Sequence, residues 1–147
     1  MNKVTLLIFI ISFAVVSNLT AQEFVENIAV IVHESIETNL LSEKDLLEIY
    51  TLSNHNWSDE NRIKVADYKG ENYLRILFYN SLNLTPRTIK KLWLRAQFTG
   101  RTVPPKVVDS ISDMIDLVKN NPGTIGYVPI TRVPPEVKVI FEIRNDL

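Results

Sequence analysis

The sequence predicts an α/β fold in which a central sheet is flanked by helices. Three observations lead there. "IAVIVH" (28–33) is an unbroken run rich in β-branched residues, as in a strand buried on both faces. Helical periodicity recurs in four separate stretches downstream. These blocks alternate with short strand-like segments, giving the order strand, helix, strand, three helices, strand, strand, which is the pattern of an α/β layout.

The elements follow in order. Ser42 is an N-cap, with Asp45 three residues on standing in for the Glu of a capping box, and Leu46, Leu47 and Tyr50 form the apolar stripe of the first helix. "NHNWSDEN" is polar and turn-rich, a surface loop carrying Trp57. "RIKVADY" alternates polar and apolar residues and predicts the second strand. The second helix is expected from about Glu71, with Leu74, Leu77 and Phe78 on one side. Thr85 and Pro86 supply an N-cap and a first-turn proline for the third. That helix places Ile89, Leu92, Trp93 and Ala96 on one face and Arg87, Lys91 and Arg95 on the other. "FTGRTVPPK" reads as a loop, since Gly100 can end the third helix and the two prolines exclude regular structure. Ser110 and Asp113 open the fourth helix, which packs Ile111, Met114, Ile115 and Val118. Asn120 and Asn121 weaken its end, Pro122 stops it, and Gly123 permits a left-handed turn into "TIGYVP". "VKVIFEI" (137–143) is the last strand.

The 147 residues form one domain. Residues 1–21 have the organisation of a secretory signal: Lys3, then the 13-residue apolar run "VTLLIFIISFAVV", then "SNLTA". The run is short of the ~20 residues that span a bilayer, so cleavage after Ala21 is expected, leaving a domain of 22–147. There is no cysteine, and an exported chain without disulfides fits a bacterial periplasm, or secretion, better than a small stapled module. Net charge is near neutral but unevenly spread. Residues 22–60 hold nine acids and one base, Lys44, whereas 85–108 hold six bases and no acid. The asymmetry admits two readings, solvated faces attracting each other within the fold or a surface for a charged partner.

Catalysis finds little support. His33 ends a buried strand, His55 lies in a polar loop, and neither has a metal-ligand spacing with another strong ligand. Asp109, Asp113 and Asp116 gather at the start of the fourth helix, where the helix dipole favours acids. No nucleophile elbow or phosphate loop of the Walker type is present. The chain is therefore read as a non-enzyme with no cofactor, metal or nucleic-acid partner. "DYKGENYLR" is the candidate binding segment. Gly70 permits a tight turn, the amides of Glu71 and Asn72 would face outward at the helix start, and Lys69 would add positive charge. Lys69, Gly70 and Asn72 are thus the candidate anion-binding residues, against an ordinary helix start in which Glu71 is a common first-turn acid. Trp93 is assigned to the core by its spacing. Trp57 either packs back on the sheet edge or presents a contact surface.

These pieces also carry a family likeness. "LSEKDLLEIY", Trp57 followed by "RIKVADY", Arg75 with Phe78, "LWLRAQFTGRTVPP" and "NNPGTIGYV" together resemble the substrate-binding proteins of phosphate ABC transporters, over about residues 28–129. "NPGTIGYV" is the most specific piece, with Thr124 where that family usually has alanine. The resemblance implies a three-layer sandwich like one lobe of a type II periplasmic binding protein, with a mixed sheet and about four helices. It departs in two places. Full-length members have two lobes, whereas this chain is long enough for one. Their Ser-Gly-Thr turn at the second helix is here "KGENYL", so their phosphate ligands do not carry over. Gly126 is expected to let its strand pass close to a neighbour, and Tyr127 to pack or cap an edge.

The reading that follows is an exported single-lobe relative that binds phosphate or another oxyanion. The alternative is a periplasmic or envelope interaction module without a small ligand, meeting a membrane or protein partner through the basic face of the third helix.

Overall fold

The first strand, β1 (Ile28–His33), forms where the sequence offers six consecutive residues without a breaker, and five of them are buried. The computed structural model describes residues 26–57, 61–100 and 102–144. The expected signal segment, residues 58–60 of the polar loop and Arg101 lie outside them. After β1 come α1 (Glu43–Tyr50), β2 (Lys64–Tyr68), α2 (Tyr73–Ser81), α3 (Pro86–Phe98), β3 (Lys106–Val108), α4 (Ile111–Asn120), β4 (Thr124–Pro129), a 3-10 turn (Ile130–Arg132) and β5 (Val137–Ile143).

The helix starts follow their caps. The Ser42 side chain accepts from the Asp45 amide, and the Asp45 carboxylate accepts from the Ser42 amide at 2.9 Å, a complete capping box. Thr85 and Ser110 each accept from the amide three residues on, opening α3 and α4. Gly100, at φ +67°, ends α3.

The five strands form one mixed sheet in the order β3-β2-β4-β1-β5. β2 runs parallel to both β3 and β4, while β1 is antiparallel to β4 and β5. β4 is central and buried at all six residues. Its Gly126 faces α4, since a Cβ there would strike Met114 and lie 3.2 Å from Val118 Cγ2. Its Tyr127 faces the opposite side, where the ring stacks on Phe78 of α2 at 3.9 Å and meets Tyr50 of α1 edge-on at 6.0 Å. Helices thus cover both faces, and the architecture is the three-layer α/β sandwich.

The Pro-Gly segment is a hub for this packing. Asn120 and Asn121 donate from their side chains to the carbonyls of Asp116 and Leu117, four residues back, so they satisfy the helix end as well as weakening it. Gly123 has φ +84°, and its carbonyl accepts from the Trp57 indole at 3.0 Å and from the Lys64 amide at 2.9 Å. Trp57 is buried, which settles its role as packing. Trp93 is buried too and donates to the Tyr50 carbonyl at 2.7 Å, tying α3 to α1.

Three expectations need correction. A strand, β3, lies where a loop was expected: the prolines end at Pro105, and Lys106–Val108 then pair with Ala66–Tyr68 at the sheet edge, where a short strand after prolines is tolerated. The apparent alternation of "RIKVADY" does not describe β2, which is buried at its last four residues, because a parallel strand with neighbours on both sides is covered on both faces. α2 starts at Tyr73, not near Glu71, because Asn72 takes the N-cap.

Candidate functional site

The chain leaves β2 at Tyr68 and turns through Lys69 to Asn72 before α2 begins. Gly70 takes φ +68° in that turn, a left-handed conformation that glycine adopts without strain. β2 and β3 are parallel, so their carboxyl ends lie together, and a cleft of about 560 Å³ opens there. Such crevices outside the carboxyl ends of parallel strands are where open α/β sheets hold ligands.

The floor of the cleft is an ionic network. Asp67, fully buried, accepts from Arg75 Nε at 2.6 Å through one carboxylate oxygen and from the Tyr127 hydroxyl at 2.6 Å through the other. Arg75 Nη1 donates to the Gly70 carbonyl at 2.9 Å, so the guanidinium also pins the turn above it. Its carbon lies 5.5 Å from the centre of the Tyr79 ring, a cation–π contact. Burial pushes the Asp67 carboxyl above its ordinary value, and the Tyr127 hydroxyl and the Arg75 charge hold it back. Burial weakens proton binding by Arg75, yet the Asp67 charge and hydrogen bond outweigh this and lift it. Burial, reinforced by the Asp67 charge, raises Tyr50, Tyr79 and Tyr127 far above the usual phenol value, so all three stay neutral. The Tyr79 hydroxyl is buried without a hydrogen-bond partner among the described residues.

Fixed at Nε and Nη1, Arg75 is itself one of the residues lining the cleft. A guanidinium held in this way is a preorganised donor for a planar pair of anionic oxygens. Lys69, Arg87 and Lys90 line the same cleft, the last two from the exposed face of α3. Against these four cations stand Asp67, which is committed to Arg75, Glu71, and Asp109, 3.7 Å from Lys69. The arrangement can attract and orient an anion. Its described residues bring together no nucleophile–base pair, and no group of three or more potential metal ligands converges among them.

The predicted site residues fall as follows. Lys69 lines the cleft and is exposed, 3.7 Å from Asp109. Its amide is taken by the Val108 carbonyl at 2.9 Å. Gly70 lines the cleft as well. Asn72 caps α2, accepting from the Leu74 amide at 2.9 Å, and is not among the lining residues. The amides of Gly70 and Glu71 have no hydrogen-bond acceptor among the described residues. Sequence reasoning missed Asp67 and Tyr127 as members of the site and used Arg75 only as a mark of family likeness. One signal was present: an acid flanked by apolar residues in "KVADY" is buried when that strand is central, and a buried acid requires a partner.

The fold is that of one α/β lobe of a periplasmic-binding-protein-like structure. Several solved structures share it. The chain matches an ABC-type phosphate transport receptor from Vibrio cholerae with a TM-score of 0.63 and 21% identity, over 78% of this chain and 46% of that one. It matches a protein assigned as a phosphate ABC transporter substrate-binding protein, with bound phosphate, from Clostridium perfringens with a TM-score of 0.66 and 21% identity, over 78% and 44%. PstS from Borrelia burgdorferi matches with a TM-score of 0.58 and 13% identity, over 79% and 47%. The chain therefore spans about half the length of these proteins and has the fold of one lobe. No protein-family model and no curated protein sequence matches it.

Proposed function

We propose that the chain is an exported, non-catalytic binding protein that takes up phosphate or another oxyanion in the cleft beside β2. The observation that carries this is Arg75, held at Nε by buried Asp67 and at Nη1 by the Gly70 carbonyl, and lining a cleft that three further cations also line. Lys69 supplies charge, and the amides of Gly70 and Glu71 supply neutral donors. Asn72 holds the helix start in place behind them. Phosphate transport proteins among the structural neighbours support the same reading, as does the secretory organisation of the first 21 residues, which would deliver the chain to the periplasm or outside the cell.

Thermal unfolding of the purified protein in phosphate, sulfate and chloride at matched ionic strength tests it. A ligand at 100 times its dissociation constant stabilises by ~2.7 kcal/mol, which raises the midpoint by roughly 10 °C for a domain of this size. A rise specific to one oxyanion is expected and should vanish in Arg75→Gln, measured against that variant's own chloride control. Identical midpoints in all three salts would refute solute binding and leave the basic face of α3 as the working surface.

A further inference from the structure

We propose that the ligand of this cleft is an organic phosphate, a phosphoryl group carrying an apolar body, in preference to a bare inorganic oxyanion. The inference rests on the oxyanion reading above and concerns what else the cleft is shaped to hold. A volume of about 560 Å³ falls within the ~300–1,000 Å³ of clefts that enclose drug-sized molecules. A tetrahedral oxyanion needs the space of two or three waters at ~30 Å³ each, roughly an eighth of that volume.

The remainder of the cleft has apolar walls. Val107 on β3 lines the cleft and is 53% exposed, so its apolar surface is open to a ligand there. Pro86 and Trp93 line the cleft from α3. The Trp93 indole nitrogen is tied to the Tyr50 carbonyl, which fixes the ring in place.

The cleft thus combines two kinds of lining: Arg75 and the Lys69–Gly70 turn offer charge and donors to an anionic group, and Trp93, Pro86 and Val107 offer apolar surface, Val107 from the position paired with Asp67. The cations lining the cleft outnumber its acids, so Coulomb attraction favours a dianionic head over a singly charged carboxylate.

Calorimetric titration of the purified protein with inorganic phosphate, phenyl phosphate and benzoate decides the matter. Phenyl phosphate is expected to bind at least tenfold more tightly than inorganic phosphate, and more tightly than benzoate. Val107→Ser, at an exposed edge position where folding can be checked by thermal unfolding, should reduce the preference for the phenyl ester over inorganic phosphate severalfold. Equal affinities for the two phosphates would overturn this inference while the oxyanion reading stands, and so would a preference unmoved by Val107→Ser. Tighter binding of benzoate would overturn the phosphoryl assignment. Binding of none of the three would remove both readings.

Discussion

Replacing Tyr127 by Phe removes one oxygen from the centre of the molecule, and its consequences can be worked from the structure. The ring keeps its stack on Phe78 at 3.9 Å and its edge contacts with Tyr68 and Tyr50, so no cavity of consequence forms. What is lost is a 2.6 Å hydrogen bond to a fully buried carboxylate. Hydrogen bonds to charged groups contribute about 1.5–3 kcal/mol, and here the acceptor is left in place without its donor. A loss of about 2 kcal/mol is expected, measured in urea as a lower midpoint with unchanged slope. The sign of its pH dependence follows from Asp67. That carboxyl is raised in the fold, so its contribution to stability is fully present below the unfolded value, ~3.9, and is lost as pH rises through the folded value. Removing the Tyr127 donor raises the folded value further. The penalty of Tyr127→Phe is therefore smaller at pH 4, where the carboxyl is more protonated, than at pH 7.5, where it is charged. A penalty below about 0.5 kcal/mol, or one equal at the two pH values, would refute the claim that a charged Asp67 is anchored by this hydroxyl.

Two other substitutions test the scaffold. Gly126→Ala places a methyl against Met114 and Val118 in the tight contact between β4 and α4, so a loss of about 1–3 kcal/mol in chemical unfolding is expected from overpacking. Ser42→Ala removes one half of the capping box and should cost about 1 kcal/mol, with little change in anion affinity because α1 does not line the cleft.

Most of the scaffold was legible because its signals are local. Ser42, Thr85 and Ser110 cap helices by reaching three residues ahead, and "NPG" stops a helix through bonds within its own neighbourhood. β3 was illegible for a physical reason: three residues after two prolines form a strand only because β2 offers an unpaired edge, and that is a property of the assembled sheet. The site divides along the same line. Lys69 and Gly70 were found from the composition of one turn. The Asp67–Arg75–Tyr127 network joins residues separated by 8 and 60 positions, and no spacing rule links a strand acid to a hydroxyl on the strand beside it. The register that pairs Lys64 with Thr124 and Val65 with Ile125 sets those strands side by side.

That network also allows scaffold and function to be separated. Arg75→Met keeps much of the side-chain volume but leaves Asp67 buried without its cation. Breaking a buried pair in this way costs about 3–5 kcal/mol, reduced here because Arg75 borders an open cleft. The loss should ease in acid, since a carboxyl raised further by removal of its partner regains its stabilising, protonated form as pH falls. Adding Asp67→Asn removes the stranded charge and keeps an acceptor for Tyr127, so the double variant should recover much of the stability at pH 7.5, as buried pairs replaced together often do. Anion binding should not recover with it, because the guanidinium edge in the cleft is gone. If the double variant binds phosphate or phenyl phosphate as tightly as the unaltered chain, Arg75 belongs to the scaffold alone and the cleft must hold its ligand through Lys69 and the cations of α3. If stability returns without binding, the buried pair is explained by what it points at the ligand, since the fold has been shown to stand without it.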